Sequence, residues 1–213
     1  MKKIFFATLI ALFVSLQSFC GAAVKIETAN FNDNEELKYP IVHTGNASVD
    51  EKINGAILDE IQRFVKECHY SAQNDDLEIG DMYTNFEIPC NRAGNTVILS
   101  VVLTESIYYK LAAHPATYQH ALNFNAETGE KMNLGYLTDI GSGSNPKFSL
   151  DNVSKKLREY ADREELFLFD DALPLKNLPE NFYFDENLHV HFIFQQYEVA
   201  PYAVGIIDLD MDE

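Results

Sequence analysis

The sequence QQYEVAPYAVG, at residues 195–205, interrupts two apolar strand patterns near the end of the chain. Pro201 fixes its own φ angle, and Gly205 permits a bend or a close backbone approach that a Cβ atom would obstruct. The pattern predicts a shaped connection between two strands. Such a connection says more about the fold than about any reaction.

Alternation of apolar and polar residues predicts the strands on either side of this connection and earlier in the chain. The predicted closing strands cover residues 182–184, 188–194 and 203–209. The predicted earlier strands cover residues 24–31, 37–42, 82–88, 97–103 and 118–124, of which 82–88 and 97–103 form a β-hairpin.

Two segments carry apolar residues at helical spacing. The first begins with a capping box, in which Glu51 follows Ser48 by three residues, and continues to Cys68. The second runs from Leu150 to about Glu165. A helix with one apolar stripe needs a partner surface, so we predict an α+β fold in which antiparallel β-sheets pack against two main helices.

The chain begins with the pattern of a secretory signal peptide, at residues 1–23. Lys2 and Lys3 precede an apolar run that is too short to cross a bilayer, and small residues at 21–23 supply a cleavage site. We therefore predict an extracytoplasmic protein, periplasmic or secreted, with no transmembrane segment after cleavage. A lipoprotein anchored at Cys20 is the alternative.

We expect two associated subdomains after the leader. The first is an amino-terminal α+β subdomain at residues 24–109, and the second is a carboxy-terminal domain at residues 110–213.

The composition is strongly acidic, with 33 Asp and Glu residues against 16 Lys and Arg residues and a net charge of −17. A field of this sign repels phosphate groups, so we expect no nucleic acid as a partner, whereas a basic protein is permitted. Cys68 and Cys90 both follow the leader. An even pair in an oxidising compartment predicts one disulfide, with two buried thiols as the alternative.

The sequence contains no familiar catalytic motif: no nucleophile elbow, no HExxH, no CxxC and no glycine-rich phosphate loop. His189 and His191 lie two apart on a predicted strand, as two metal ligands would, but the sequence shows no third or fourth ligand. We therefore predict no enzyme, no cofactor and no metal. The alternative is a small metal-dependent or hydrolytic envelope enzyme that uses His114 or the pair His189 and His191. His120 is expected to be a core or interface side chain, and we assign it no function.

The residues around the connection are typical of a binding surface. Tyrosine presents a large amphipathic area at low entropic cost. We select Tyr197, Glu198, Pro201, Tyr202 and His114 as binding residues. The alternative is that these side chains only fix the bend by hydrogen bonding to the backbone.

Four separated motifs resemble the RsiV-like and PdaC-like family of extracytoplasmic domains. They are Ala112-Ala113-His114-Pro115, Asn123-Phe124-Asn125 with Thr128-Gly129 and Leu134, Leu178-Pro179-Glu180-Asn181-Phe182-Tyr183, and Tyr197 to Gly205. Their order and spacing match as well as their residues. The resemblance is close over roughly residues 110–210 and looser over residues 24–109. The usual Gly-Gly before the histidine is here Ala-Ala.

The resemblance implies a binding module of the cell envelope. In that family the domain forms the outer part of an anti-sigma factor that binds lysozyme, and it also accompanies a polysaccharide deacetylase domain in a cell-wall enzyme. We expect neither of these accompanying parts in this chain. The implied function is therefore non-catalytic recognition of a cationic protein such as lysozyme, or of a cell-wall glycan or peptidoglycan fragment.

Overall fold

The computed structural model describes residues 23–92, 96–139 and 145–213, without the side chains of residues 138 and 139. The predicted leader and Cys20 lie outside these residues. The strands are β1 (Lys25–Asn30), β2 (Lys38–His43), β3 (Ile79–Asn91), β4 (Ile98–Tyr109), β5 (Ala116–Asn125), β6 (Phe182–Phe184), β7 (Val190–Phe194) and β8 (Ile207–Asp210). The helices are α1 (Ala47–Asn74), α2 (Leu134–Asp139) and α3 (Leu150–Arg163). These antiparallel sheets and two long helices confirm the predicted α+β fold.

Helix α1 begins earlier than its sequence signal predicts. Asn46 is the N-cap, and its side chain accepts a hydrogen bond from the Ser48 backbone N–H at 3.1 Å. Ser48 therefore lies inside the first turn, and the predicted capping box is wrong. The apolar stripe is buried as the spacing predicts, at Val49, Ile53, Ile57, Ile61, Phe64 and Cys68.

The first large sheet has the order β3-β4-β5, and all its neighbours are antiparallel. Strand β4 is central and buried on both faces. One face packs against α1 and the β1-β2 hairpin, in a cluster that includes Ile53, Ile57, Leu99, Leu103 and Phe124. Asn54 of α1 ties the hairpin to the helix by bonding the backbone N–H and C=O of Val42.

The second sheet has the order β6-β7-β8 and is made of much shorter strands. Its apolar face packs against α3 in a cluster that includes Val153, Leu157, Phe182, Phe192, Phe194, Ile207 and Leu209. This cluster is separate from the one under α1, so the chain has a core on each side of the first sheet.

Buried polar side chains join the two sheets. The Ser100 hydroxyl donates to Asn123 Oδ1 at 2.7 Å, and Asn123 Nδ2 donates to the Phe182 carbonyl at 2.6 Å. The Phe184 backbone N–H donates to Ser100 Oγ at 3.1 Å. These bonds fix β6 against β4 and β5 without extending either sheet.

The outer edge of β5 is covered by side-chain amides instead of by another strand. Asn181 accepts from the Ala121 N–H at 2.8 Å and donates to the Gln119 carbonyl at 2.7 Å. Gln195 accepts from the Gln119 N–H at 3.0 Å and donates to the same carbonyl at 2.6 Å. Gln196 accepts from the Thr117 N–H at 3.3 Å. Such contacts satisfy an edge that would otherwise be open to pairing.

The predicted disulfide does not form between Cys68 and Cys90. Cys68 is a free thiol that packs with Phe64 and Ile107, whereas Cys90 pairs with Ser100 and packs in the other core. The β4 positions beside the two cysteines lie on opposite faces of the sheet and about 23 Å apart along the strand. A disulfide requires Cα atoms within about 7 Å. The structure therefore corrects this prediction.

Beyond β5, a single bridge joins Phe124 to Lys131, and α2 begins at Leu134. The expected boundary between residues 109 and 110 falls in the turn between β4 and β5, two strands that pair along their length. Residues of both expected subdomains therefore share one sheet.

Within the described part of the chain, no helix is both long enough and apolar enough to span a membrane.

The bonds of Asn123 provide a test of the junction between the sheets. We expect Asn123→Ala to lower the free energy of unfolding by about 3 kcal/mol, because it leaves the buried Phe182 carbonyl and the Ser100 hydroxyl without their partner. Urea denaturation measures the change. The control Asn177→Ala, at an exposed position, should change the stability by less than about 0.5 kcal/mol. Equal stability of the two variants would contradict the role assigned to Asn123.

Candidate functional site

The aromatic residues predicted for binding meet at one place on the surface. The rings of His114 and Tyr202 stack with centroids 3.6 Å apart and an interplanar angle of 22°. The Tyr197 hydroxyl lies 3.3 Å from His114 Nε2, and the Tyr202 hydroxyl donates to the Pro115 carbonyl at 3.2 Å. The structure therefore brings together side chains from the start of β5 and from the connection between β7 and β8.

The backbone of the connection has the predicted bend. Pro201 has a φ of −61° and precedes a short 3-10 turn at Tyr202–Val204, and Gly205 follows with a φ of +84°. A Cβ atom at Gly205 would meet nothing within 4 Å, so the glycine is required by its left-handed backbone and not by lack of space. Pro201 therefore acts on the aromatic cluster through the backbone.

Glu198 points away from the aromatic cluster. Its carboxylate accepts a hydrogen bond from the Gln195 N–H at 2.7 Å and lines a separate depression with Lys176, Pro179 and Phe194. Burial raises the pKa of Glu198, and the bond from Gln195 opposes this change. Glu198 thus fixes the bend, which is the structural role considered as the alternative for this segment.

A fully exposed leucine precedes His114 by three residues. Leu111, in the β4-β5 turn, is 100% exposed, and Tyr197 is 58% exposed. We call Leu111, His114, Tyr197 and Tyr202 the aromatic surface. The depression beside Leu111 is also lined by the acidic residues 76 and 78, of which only Glu78 pairs with Lys110. The depression beside Leu111 therefore carries an excess of negative charge.

A second cluster surrounds His189 and His191. His189 Nδ1 lies 3.3 Å from Asp210 Oδ2 and 3.9 Å from Asp185 Oδ2. His191 Nε2 lies 3.9 Å from Asp210 Oδ2 and 4.0 Å from Asp185 Oδ2. These four atoms alternate around a closed ring of nitrogen and oxygen, which we call the His-Asp ring.

Neighbouring groups hold the side chains of the His-Asp ring in place. His191 Nδ1 lies 2.8 Å from Asp208 Oδ1, and the Tyr183 hydroxyl donates to Asp208 Oδ2 at 2.6 Å. The Tyr183 ring also stacks on the His191 ring with centroids 4.6 Å apart. Burial lowers the pKa of His191, but the hydrogen bond and charge of Asp208, with the charges of Asp210 and Asp185, raise it overall.

Sequence reasoning identified the two histidines but not their acidic partners. The sequence does carry a sign of the pairing: Asp208 and Asp210 are two residues apart, as His189 and His191 are, so each pair lies on one face of a strand. The register of the sheet then pairs His191 with Asp210. The remaining acid, Asp185, comes from the turn after β6, and no spacing in the sequence indicated that it would approach.

A third site lies in a cleft of about 380 Å³ between α1 and the β4-β5 strands. Glu105 of β4 is fully buried there, and its Oε1 atom has no hydrogen-bond partner among the described residues. Arg63 Nη2 lies 2.6 Å from Glu60 Oε1 and 3.2 Å from Glu105 Oε2. His120 lies 3.5 Å from both carboxylates, so it is part of a polar cluster and not a simple core residue.

The charges in this cleft are unequal. Burial and the nearby charge of Glu60 raise the pKa of Glu105 to about 8, against the effect of Arg63. Burial raises the pKa of Glu60 as well, but the hydrogen bond of Arg63 and the charge of His120 lower it overall. Burial lowers the pKa of His120. A neutral carboxyl group therefore lies beside an ionised one, with the Arg63 guanidinium between them.

The carboxy-terminal part of the chain is similar to a family without an assigned function. Residues 137–212 match the family described as "Protein of unknown function (DUF3298)". This segment contains the second sheet, α3 and the whole His-Asp ring. No curated protein matches the chain.

Two solved structures have a similar fold. A member of the DUF3298 family from Bacteroides fragilis is 15% identical, covers 88% of this chain and 87% of its own, and gives a TM-score of 0.50. A DUF3298 family protein from Pseudomonas aeruginosa is 9% identical, with coverages of 88% and 87% and a TM-score of 0.55. At this level of identity the likeness concerns the fold alone.

The buried carboxyl of Glu105 predicts a pH-dependent stability. Its folded pKa of about 8 exceeds the ordinary 4.5, so the folded state binds more protons than the unfolded state between these values. The free energy of unfolding should therefore fall as the pH rises, by about 2 kcal/mol between about pH 6.5 and pH 8. His120 acts in the opposite sense, but mainly below about pH 6.5. Urea denaturation across this window gives the slope.

Glu105→Gln should reduce this slope, because the amide does not titrate, and the remaining fall includes that of His191, whose raised pKa acts in the same sense. Glu87→Gln, at an exposed position of β3, should keep the slope of the unmodified protein. Glu60, Arg63, Glu67 and His120 face Glu105 and remain in both variants. A flat profile in the unmodified protein, or the same slope in Glu105→Gln, would contradict the prediction.

Proposed function

We propose that the chain is an extracytoplasmic, non-catalytic binding module that recognises a basic protein through the aromatic surface. The observation that carries the proposal is the stacked and partly exposed arrangement of His114, Tyr197 and Tyr202. The energetic centres of interfaces are enriched in tyrosine, tryptophan and arginine, and the contacts around them exclude water. The fully exposed Leu111, three residues before His114 in the same turn, adds exposed aliphatic area.

The rings are held before any partner binds. Tyr202 is fixed by its bond to the Pro115 carbonyl, and His114 Nδ1 lies 3.0 Å from the same oxygen. A surface that is already ordered loses less conformational entropy on binding than a mobile one. This order supports recognition of a protein surface by shape.

Charge supports a basic partner. The chain carries a net charge of −17, and acidic residues line the depression beside Leu111. Opposite charges accelerate association and favour basic partners over acidic ones. The resemblance to the RsiV-like family suggests lysozyme as the first protein to examine.

The geometry at His114 argues against the enzymatic alternative at this residue. Both ring nitrogens face neighbouring groups, Nδ1 the Pro115 carbonyl and Nε2 the Tyr197 hydroxyl, and one ring face is covered by Tyr202. A general base or a metal ligand needs a nitrogen that is directed at the substrate or the metal. His114 therefore serves the aromatic surface as a packing and binding residue.

Binding to lysozyme tests the proposed function. We expect a complex at physiological salt, with a dissociation constant of tens of micromolar or below, that weakens as salt is added. Tyr197→Asn should weaken it at least about tenfold, because Tyr197 is an exposed centre of the surface. Asparagine is chosen because Tyr197 has a φ of +66°, which asparagine tolerates better than alanine. Isothermal titration calorimetry gives both constants.

The control is Tyr70→Asn, because Tyr70 is a similarly exposed tyrosine on α1, at 66% exposure. It should leave the affinity unchanged. Cytochrome c, another basic protein, separates recognition of shape from attraction by charge alone. Absence of any complex with lysozyme, or equal affinity for Tyr197→Asn and the unmodified protein, would overturn the proposal. Binding of peptidoglycan fragments alone would assign the surface to a glycan and overturn it as well.

A further inference from the structure

We propose that the His-Asp ring binds one divalent zinc ion, with Asp185 Oδ2, His189 Nδ1, His191 Nε2 and Asp210 Oδ2 as its ligands. The site lies at one end of the second sheet, where it joins the turn after β6 to β7 and to the end of β8. It is independent of the aromatic surface and of the proposed function.

The spacing of the four atoms fits a metal ion. Adjacent atoms of the ring lie 3.3 to 4.0 Å apart. Ligands at about 2.1 Å from a zinc ion lie about 3.0 to 3.4 Å from each other, so adjacent ring atoms need to approach by up to about 0.6 Å. The four atoms do not all lie within 4.8 Å of one another, so the atoms across the ring need to move farther than the adjacent ones. Alternation of His nitrogen and Asp oxygen around the ring places unlike ligands next to each other.

The tautomer of His191 directs a lone pair into the ring. Asp208 carries only acceptor oxygens when ionised, so the 2.8 Å contact assigns the proton of the imidazole to Nδ1. In the neutral ring, His191 Nε2 then carries a lone pair, and this buried atom has no hydrogen-bond partner within the described ranges. A buried lone pair that faces two carboxylates is unfavourable, and either a proton or a metal cation between them relieves it.

The groups outside the ring have the arrangement that is usual around metal ligands. A carboxylate that accepts from the second nitrogen of a ligating histidine orients the ring and increases its basicity, and Asp208 does this for His191. Asp185 Oδ1 accepts from the N–H groups of residues 187 and 189, and Oδ2, which faces the ring, also accepts from Asn187 Nδ2 at 3.2 Å. Asp210 Oδ1 accepts from the N–H of residue 212 in the same way.

The chemical types of the four ligands favour zinc. Two imidazole nitrogens with two carboxylates favour zinc over calcium or magnesium, which prefer oxygen ligands and higher coordination numbers. The two carboxylates balance the charge of the ion. Four protein ligands leave no open position, which is the pattern of a structural site and not of a catalytic one.

Asp212 is the competing ligand. It lies within 4.8 Å of the ligand atoms of His189 and Asp210, but it already pairs with Lys147 and accepts from the Val190 N–H. We therefore assign it to the ion pair with Lys147 and not to the metal. This assignment gives the matched control for the test.

Metal binding to the untagged full-length protein tests the site. We expect the protein dialysed against Zn²⁺ to retain about one ion per chain by elemental analysis, and its Tm to rise with Zn²⁺ but not with Ca²⁺ or Mg²⁺. Asp185→Asn, Asp210→Asn and His191→Gln should each weaken zinc binding at least about tenfold. Asp208→Asn, a positioning residue, should weaken it by about tenfold to a hundredfold.

Two controls keep the result unambiguous. Asp212→Asn and His69→Gln should retain the zinc affinity of the unmodified protein, and circular dichroism in EDTA confirms that each variant is folded. Zinc binding that is lost in Asp212→Asn and kept in Asp185→Asn would overturn the ligand set. Retention of far less than one ion per chain, or unchanged affinity in His191→Gln, would overturn the site. None of these outcomes bears on the lysozyme experiment.

Discussion

The position of the β6-β7-β8 sheet against the β3-β4-β5 sheet depends on side-chain amides. Asn123 and Ser100 connect β4 and β5 to β6, and Asn181, Gln195 and Gln196 cover the outer edge of β5. Each amide bonds a buried or partly buried backbone donor or acceptor that would otherwise lack this partner, and an unpaired buried group carries a free-energy penalty. The junction therefore specifies a single arrangement of two sheets that share no strand pairing.

The aromatic surface is ordered because this junction holds its segments in place. His114 comes just before β5, and Tyr197 follows directly after the two glutamines that bond to the edge of β5. The stack with Tyr202 forms because the amide contacts hold these two distant segments side by side. A change in the register of that edge by one residue would exchange its inward and outward groups and separate the rings.

The sequence predicts the elements that depend on local periodicity. The stripe of α1, the hairpin of β3 and β4, and the bend at Pro201 all follow from spacing or from backbone preference. The cluster of Glu60, Glu105 and His120 does not, because its members come from three elements and meet only through tertiary packing. The disulfide prediction was wrong for the same reason. The presence of two cysteines in the sequence does not indicate on which face of a sheet each of them will lie. The motifs behind the family resemblance, Asn181 among them, mostly build the junction, so they indicate the fold more directly than the ligand.

The strand pairing of the second sheet contributes little to its stability. Its strands contain only 3, 5 and 4 residues, and short strands make few ladder bonds. Helix α3 and an apolar core cover one face, whereas the other face carries His191, Asp208 and Asp210. Carboxylates this close repel each other, so that face destabilises the sheet unless positive charge lies among them. A bound cation supplies such charge and also joins three segments of chain that local pairing holds weakly.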